Sequence, residues 1–485
     1  MKHLLSFFSF LILSLHLFAS AADSFDWKKA TVYFVITDRF CNGDSLNDVN
    51  YGRKTDYGSE RMNAATFHGG DFKGMLAKAR EGYFSRLGVD VVWMTDVYEQ
   101  IHGWMSGSGA VNDFPHYGYH GYYPLDYTQT DKNYGTIEEL RELIDTLHSQ
   151  GIRVMLGANL NDPGYPTLLD AVQYGFAPTG LTAAEAAEHR RDWSYDRFFE
   201  GRLGWNGWYD RGWIRMPDEN WDENNPLEAT LYGMPDFKDE SNEPVRIPAF
   251  LKKKWKSEKK ANDPWVNPSA RALRTDREWS PAQYVTAWIA SWVEEFGIDG
   301  FRCDIVENVR LNRWKELSEA CNAALARWRA AHPADMANMT DCATTLLLAP
   351  GVAQIFYGDE SRRPLSDARL NVDSDQAFRS DMNWATADST LLDHFRRLGT
   401  IRRAHRAIGS GRQQTIDAHT CLRTAQSDTV IIAVALSDGQ AVNVGAAFAD
   451  GTGVTNLYTG EKTTVARGKA SFSAYPNRLA VIAKE

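Results

Sequence analysis

Residues Gly297–Asn308 read GIDGFRCDIVEN, and this stretch decides the fold. Ahead of it, Ser280, Pro281 and Gln283 supply an N-cap, a proline at the first helical position and a capping-box partner. Val285, Trp288, Ile289, Trp292 and Phe296 then recur at helical spacing until Gly297 stops the helix. The short apolar run Ile298–Cys303 predicts a buried strand that delivers Arg302 and Asp304 at its end. A helix feeding such a strand belongs to a parallel α/β protein, where chemistry gathers at the C-terminal ends of the strands. An arginine two residues before an aspartate points the same way along a strand and holds the carboxylate ionised. Alone, the pair reads equally well as a structural ion pair and as a nucleophile with its positioning cation.

The same βα pattern recurs outward. Thr31–Ile36 predicts a first strand, a helix over Phe72–Leu87 leads into a second at Val89–Met94, and Ile152–Leu156 predicts a third. Thr136 and Glu139 form a capping box for the helix before that third strand, marked by Leu140, Leu143, Ile144 and Leu147 and closed by Gly151. After Asp304, Trp314, Leu317, Cys321, Ala324 and Trp328 mark a helix ended by Pro333, a short helix ends at Leu346–Leu348, and Val352–Tyr357 predicts a further strand. A helix follows over Leu391–Ile401. Beyond Arg412 the pattern changes to short alternating strands at Thr429–Ala435, Ala441–Ala447, Lys469–Phe472 and Leu479–Ala483, the signature of an antiparallel β domain. Residues 158–280 are too long for one crossover and, rich in Trp, Tyr, Asp and Asn, predict an irregular excursion that carries part of the cleft.

Composition narrows the class. The chain has 485 residues and a net charge of −10 with no basic cluster, which argues against nucleic acid and suits a neutral substrate. Residues 1–21 predict a secretory signal: Lys2 and His3, an apolar run Leu4–Phe18, then Ala19-Ser20-Ala21. That run is too short for a membrane-spanning helix and no later stretch qualifies, so the expectation is an exported protein, periplasmic or extracellular. Five cysteines are an odd count with no metal-ligand spacing, and predict no disulfide framework.

Several motifs together give the chain a family likeness. GFRCD at 300–304, TVYFVITDRFCNGDSLND at 31–48, EQIHGW at 99–104, HYGYHGYYPLDY at 116–127, MPDF at 234–237, QIFYGDESRRP at 354–364 and RSDMNW at 379–384 resemble the α-amylase family, glycoside hydrolase family 13, most of all its bacterial periplasmic type. The resemblance implies a (β/α)8 TIM-barrel-derived fold, with 22–157 as the first part of the barrel, 158–280 as a subdomain after strand three, 281–412 as the remainder and 413–485 as a C-terminal antiparallel β domain. It implies Asp304 as the nucleophile position with Arg302 beside it, and His120 and Tyr122 as contacts to an α-glucan such as starch, glycogen or a maltooligosaccharide. It also implies calcium. Asn42, Asp44, Asn47 and Asp48 crowd oxygens around Gly43, as a hard cation or an Asx-rich turn requires. In related proteins such a loop holds calcium together with a G-G-D, here Gly69-Gly70-Asp71. Asn161 and Asp236 match ligands of the family's central calcium.

Against these matches stand four departures. Where the resemblance leads one to expect D-V-V-x-N-H after strand three, the chain reads Gly157-Ala158-Asn159-Leu160-Asn161-Asp162, so an Asp has become Gly157 and a His has become Asp162. Past the nucleophile position, Glu307-Asn308 replaces Lys-His. Only 47 residues separate Asp304 from Val352, whose strand matches the family's eighth. At roughly 30 residues per βα unit, strands five to seven and about 70 to 90 residues are missing near Met336–Asp341. With them go the general acid and a His-Asp pair, and a retaining glycosidase needs two carboxyls about 5 to 5.5 Å apart. Glu307, three residues beyond Asp304, is the only substitute at hand, and Glu360 at the end of the last strand reads as structural. These losses favour an incomplete barrel that binds α-glucan without cleaving it over a working secreted α-amylase.

Overall fold

The computed structural model describes residues 25, 27, 30–53, 65–106, 115–165, 167–175, 184, 208–215, 225–228, 234–258, 263–303, 306–331, 353–357, 359–361, 363, 380–387, 389–417, 419–433, 436–476 and 479–485. The signal sequence, Asp304, Cys342, the helix ending at Leu348 and the Met336–Asp341 join lie outside them.

Five parallel strands form the centre: β1 (Thr31–Val35), β2 (Val91–Met94), β3 (Arg153–Gly157), β4 (Gly300–Arg302) and β5 (Ala353–Phe356), in the spatial order β4-β3-β2-β1-β5. Each lies inside the run predicted for it except β3, which runs one residue further, to Gly157. The helices fall between strands as the periodicity requires: α1 (Phe72–Arg80), α2 (Ile137–Ser149), α3 (Pro281–Phe296), α4 (Leu311–Ala331) and, after β5, α5 (Ser389–Ala404). Their starts and stops follow the caps. Thr136 and Glu139 close a full capping box on α2, Ser280 N donates to Gln283 Oε1 at 3.0 Å, and Gly297 ends α3 in the left-handed region at φ 67°. The apolar faces of α3 and α4 bury Trp288, Trp292, Trp314 and Trp328 in one core with the strands.

Periodicity predicts one helix over Phe72–Leu87, but the chain breaks at Gly82, φ 71°, into α1 and a short turn Tyr83–Arg86. The break turns Tyr83 inward. Its hydroxyl donates to Glu360 Oε1, which also accepts from Tyr33 at 2.5 Å, and this buried carboxylate ties the segment after β5 to β1. Glu360 is structural, as expected. Cys303, placed within a buried strand by its sequence context, follows the end of β4 and is half-buried.

Between β2 and β3 lies a hairpin-like pair that alternation did not signal, Tyr98–Gln100 against Pro124–Thr130, in which Glu99 stands opposite Asp126. The excursion after β3 contributes helices Leu168–Tyr174, Ala249–Ser257 and Pro268–Arg271 and the strand pair Ile214–Arg215 with Asp236–Phe237. Beyond α5 a six-stranded antiparallel sheet runs in the order Arg412–Thr415, Thr420–Ala425, Asp428–Ala433, Ala480–Lys484, Gly453–Asn456, Lys462–Thr464. Its core holds Leu422, Ile431, Val454, Phe472 and Ile482. Four of these six strands, Arg412–Thr415, Thr420–Ala425, Gly453–Asn456 and Lys462–Thr464, were not among those expected from the sequence.

Candidate functional site

The C-terminal ends of β2, β3 and β4 meet at one level, because Trp93 is in register with Met155 and Arg302 with Gly157. Arg302 places its guanidinium 4.9 Å from the centre of the Trp93 ring, within electrostatic reach of Tyr122 and Asp96. Burial draws its pKa below the ordinary arginine value. Asp96, just past β2, is buried, and that burial pushes its carboxyl up to about 7 against the pull of Arg302. Tyr122 stacks on His120 at 4.9 Å, and its backbone N–H donates to His120 Nδ1 at 3.0 Å, which fixes the ring. The turn that makes this possible needs Gly121 at φ 87°, where the chain passes so close to Asp96 that a Cβ would lie 2.7 Å from its carbonyl oxygen. His120, Tyr122 and Arg302 are therefore brought to one place beside the strand that leads to Asp304. Glu307 is exposed on a turn of 3-10 helix.

A second cluster follows β3. Phe237 N donates to the carbonyl of Asn161 at 2.6 Å, which sets Asn161 and Asp162 beside Asp236. Burial lifts Asp162 to about 7 and Asp236 to about 8, each sensing the other or its neighbours, although Arg215 stands 3.4 Å from Asp236. The side-chain oxygen of Asn161 is buried with no hydrogen-bond partner among the described residues. A spare amide oxygen next to two buried carboxyls is a donor set that fits a hard cation.

The loop Asn42–Asp48 is organised by Asp71. Its carboxylate accepts from Gly43 N at 2.9 Å, Asp44 N at 2.7 Å and Asn47 Nδ2 at 3.3 Å, and caps α1 through Gly74 N at 2.7 Å. Asn42 donates to Asp48 at 2.8 Å, and Lys73 takes an oxygen of Asp44. Gly69 turns at φ 89° just ahead of Asp71. The hydrogen bonds thus tie Asp44 and Asn47 to Asp71, and Asn42 to Asp48, with Gly69 two residues ahead of Asp71 in the chain. The oxygens nevertheless serve mostly as hydrogen-bond acceptors, and the buried Asn47 Oδ1, which has no such partner among the described residues, is what remains for an ion. Among the described residues no three His, Cys, Asp or Glu side chains gather closely enough to hold a metal by themselves. Any cation at either place relies on asparagine and backbone oxygens. If calcium binds, hundredfold excess over its dissociation constant adds about 2.7 kcal/mol to stability. A melt with calcium then lies several degrees above one with chelator, and coincident melts speak against both sites.

Two features escaped the sequence. One is the buried ion cluster in which Lys254 Nζ meets Glu99 at 2.6 Å, Asp126 at 3.1 Å and Glu258 at 3.0 Å. The other is Asp96 beside Gly157. A carboxylate two residues past β2, at the height of a missing one at the end of β3, was the available signal.

Comparison with known proteins covers the same ground. The description "Alpha amylase, catalytic domain" matches residues 34–341. The periplasmic α-amylase of Escherichia coli (strain K12) is 34% identical over 492 residues, a match that takes in 81% of this chain and 69% of that protein. The β/α-amylase of Paenibacillus polymyxa is 26% identical over 346 residues, 70% of this chain but 22% of that protein. Among solved structures, an Anoxybacillus α-amylase superposes with a TM-score of 0.60 at 17% identity, covering 95% of this chain and 99% of that one. The α-amylase of Geobacillus thermoleovorans, solved with acarbose, gives 0.60 at 16% identity, again covering 95% and 99%.

Proposed function

That the chain belongs to the α-amylase family of glycoside hydrolases is the premise from which we propose that it binds α-glucan at the ends of β2–β4 and has lost the power to cleave it. Membership brings the (β/α)8-barrel fold with a C-terminal β domain. In the proposed reading this barrel lacks strands five to seven, with 22–157 and 281–412 forming what remains, 158–280 inserted after strand three and 413–485 as the terminal domain. Arg302 steadies Asp304 at the nucleophile position, His120 and Tyr122 hold a sugar, and calcium at the Asn161–Asp236 and Asn42–Asp71 clusters braces the loops. The protein works outside the cytoplasm.

One observation carries the reading: only 50 residues, 303–352, separate β4 from β5, and α4 takes 21 of them. Three further strands with their helices need about 90 residues at roughly 30 per βα unit. The E. coli match leaves a gap of comparable size. It runs over 492 residues but takes in 81% of 485, about 393, so about a hundred of its positions face no residue here. Hydrolysis with retention needs an acid opposite the nucleophile, and the missing segment is where the family carries it.

Titration with maltoheptaose, followed by tryptophan fluorescence, tests the binding half. Saturable binding is expected, weakened about tenfold or more by His120→Ala, since one or two lost hydrogen bonds are worth that much. Absence of any saturable change contradicts it.

A further inference from the structure

Gly157 lies in the middle of the three strand ends, between β2 on one side and β4 on the other. A Cβ built on it would stand 1.6 Å from Asp96 Oδ1 and 2.7 Å from its Cγ, so the Asp96 carboxylate occupies the very space that any side chain at 157 would enter. We propose that Asp96 is a positioning residue for Arg302: its carboxylate crosses the bare backbone at Gly157 and supplies, from β2, the negative charge that holds the Arg302 guanidinium over Trp93.

Three observations converge on this. Arg302 is in register with Gly157, so the vacant Cβ space is level with the arginine's backbone, and the two charges interact. Asp96 is 2% exposed and its Oδ1 has no hydrogen-bond partner among the described residues, so part of a buried carboxylate is left without a hydrogen bond there. A buried carboxylate of that kind is costly unless a cation stands near it. Only glycine at 157 leaves open the space that the Asp96 carboxylate fills. What the sequence presents as a lost aspartate is then a carboxylate moved to the neighbouring strand.

The test is a thermodynamic cycle read by thermal melting without sugar, so its result is independent of whether the cleft binds glucan. Asp96→Ala is expected to lower the midpoint by on the order of 5 °C, the effect of stripping a buried charge of its partner in a protein of this size. Gly157→Asp alone is expected to lower it as well, since two carboxylates then compete for one space. The double variant Asp96→Ala/Gly157→Asp is expected to recover most of the loss, and to recover nothing when Arg302→Met is added. Asp96→Asn keeps the shape and sheds the buried charge, so it guards against simple misfolding and is expected to melt no lower than Asp96→Ala. A double variant no better than the sum of the singles, or recovery that persists with Arg302→Met, would overturn the assignment.

Discussion

Replacing Lys254 by methionine lowers the unfolding free energy by about 3–5 kcal/mol at pH 8, the cost of leaving buried carboxylates without their cation. Glu99 and Asp126 face each other across an antiparallel pair, the arrangement in which like charges are most destabilising. Both side chains are essentially buried, and Lys254, equally buried, reaches in from helix Ala249–Ser257 to stand between them, with Glu258 one turn on. Asp126 is held well below the ordinary carboxylate range by Lys254 and Arg274, with bonds from Thr128 and Trp255, against the opposing effect of burial. Glu99 rises to about 7, burial outweighing the attraction of Lys254.

The pH dependence follows from that last value. A carboxyl raised from its ordinary 4.5 to about 7 binds more protons folded than unfolded in that window, so stability falls as pH rises through it. Removing Lys254 extends the window upward for each carboxyl it served. Methionine at 254 is therefore expected to cost less at pH 5, where the abandoned groups take up protons, than at pH 8. Urea unfolding at the two pH values measures it. A deficit below about 1 kcal/mol, or one equal at both, would mean that the ammonium is not what holds this excursion to the barrel.

Much of this architecture is legible in the residues. The five central strands lie in short, mostly apolar runs closed by polar turns, and the capping residues at 136–139 and 280–283 and the glycine at 297 mark helix ends by local chemistry alone. Local chemistry also explains the misses. The Phe72–Leu87 pattern continues through Gly82 because its apolar spacing does not register a left-handed residue. Strands such as Arg412–Thr415 and Lys462–Thr464 are short edge strands of polar residues, with no apolar side chain to mark them. The Lys254 cluster joins residues more than a hundred positions apart, and Asp96 acquires its meaning only from the register of β2, β3 and β4. Gly157, counted from sequence as a loss, is instead the opening through which a neighbouring carboxylate reaches Arg302.

The most direct measurement of the central claim is reducing-sugar release from soluble starch by purified protein that has been shown to bind maltoheptaose, run beside an Asp304→Asn variant. A general acid alone contributes about 10²–10⁴-fold, and removing members of a coupled set costs far more than the bond each one makes. Glu307 lies exposed and Glu360 is committed to Tyr33 and Tyr83, so neither is placed to protonate a leaving oxygen. Bound glucan is expected, with no release above the Asp304→Asn background. Release that disappears with Asp304→Asn would contradict that expectation and require an acid opposite Asp304.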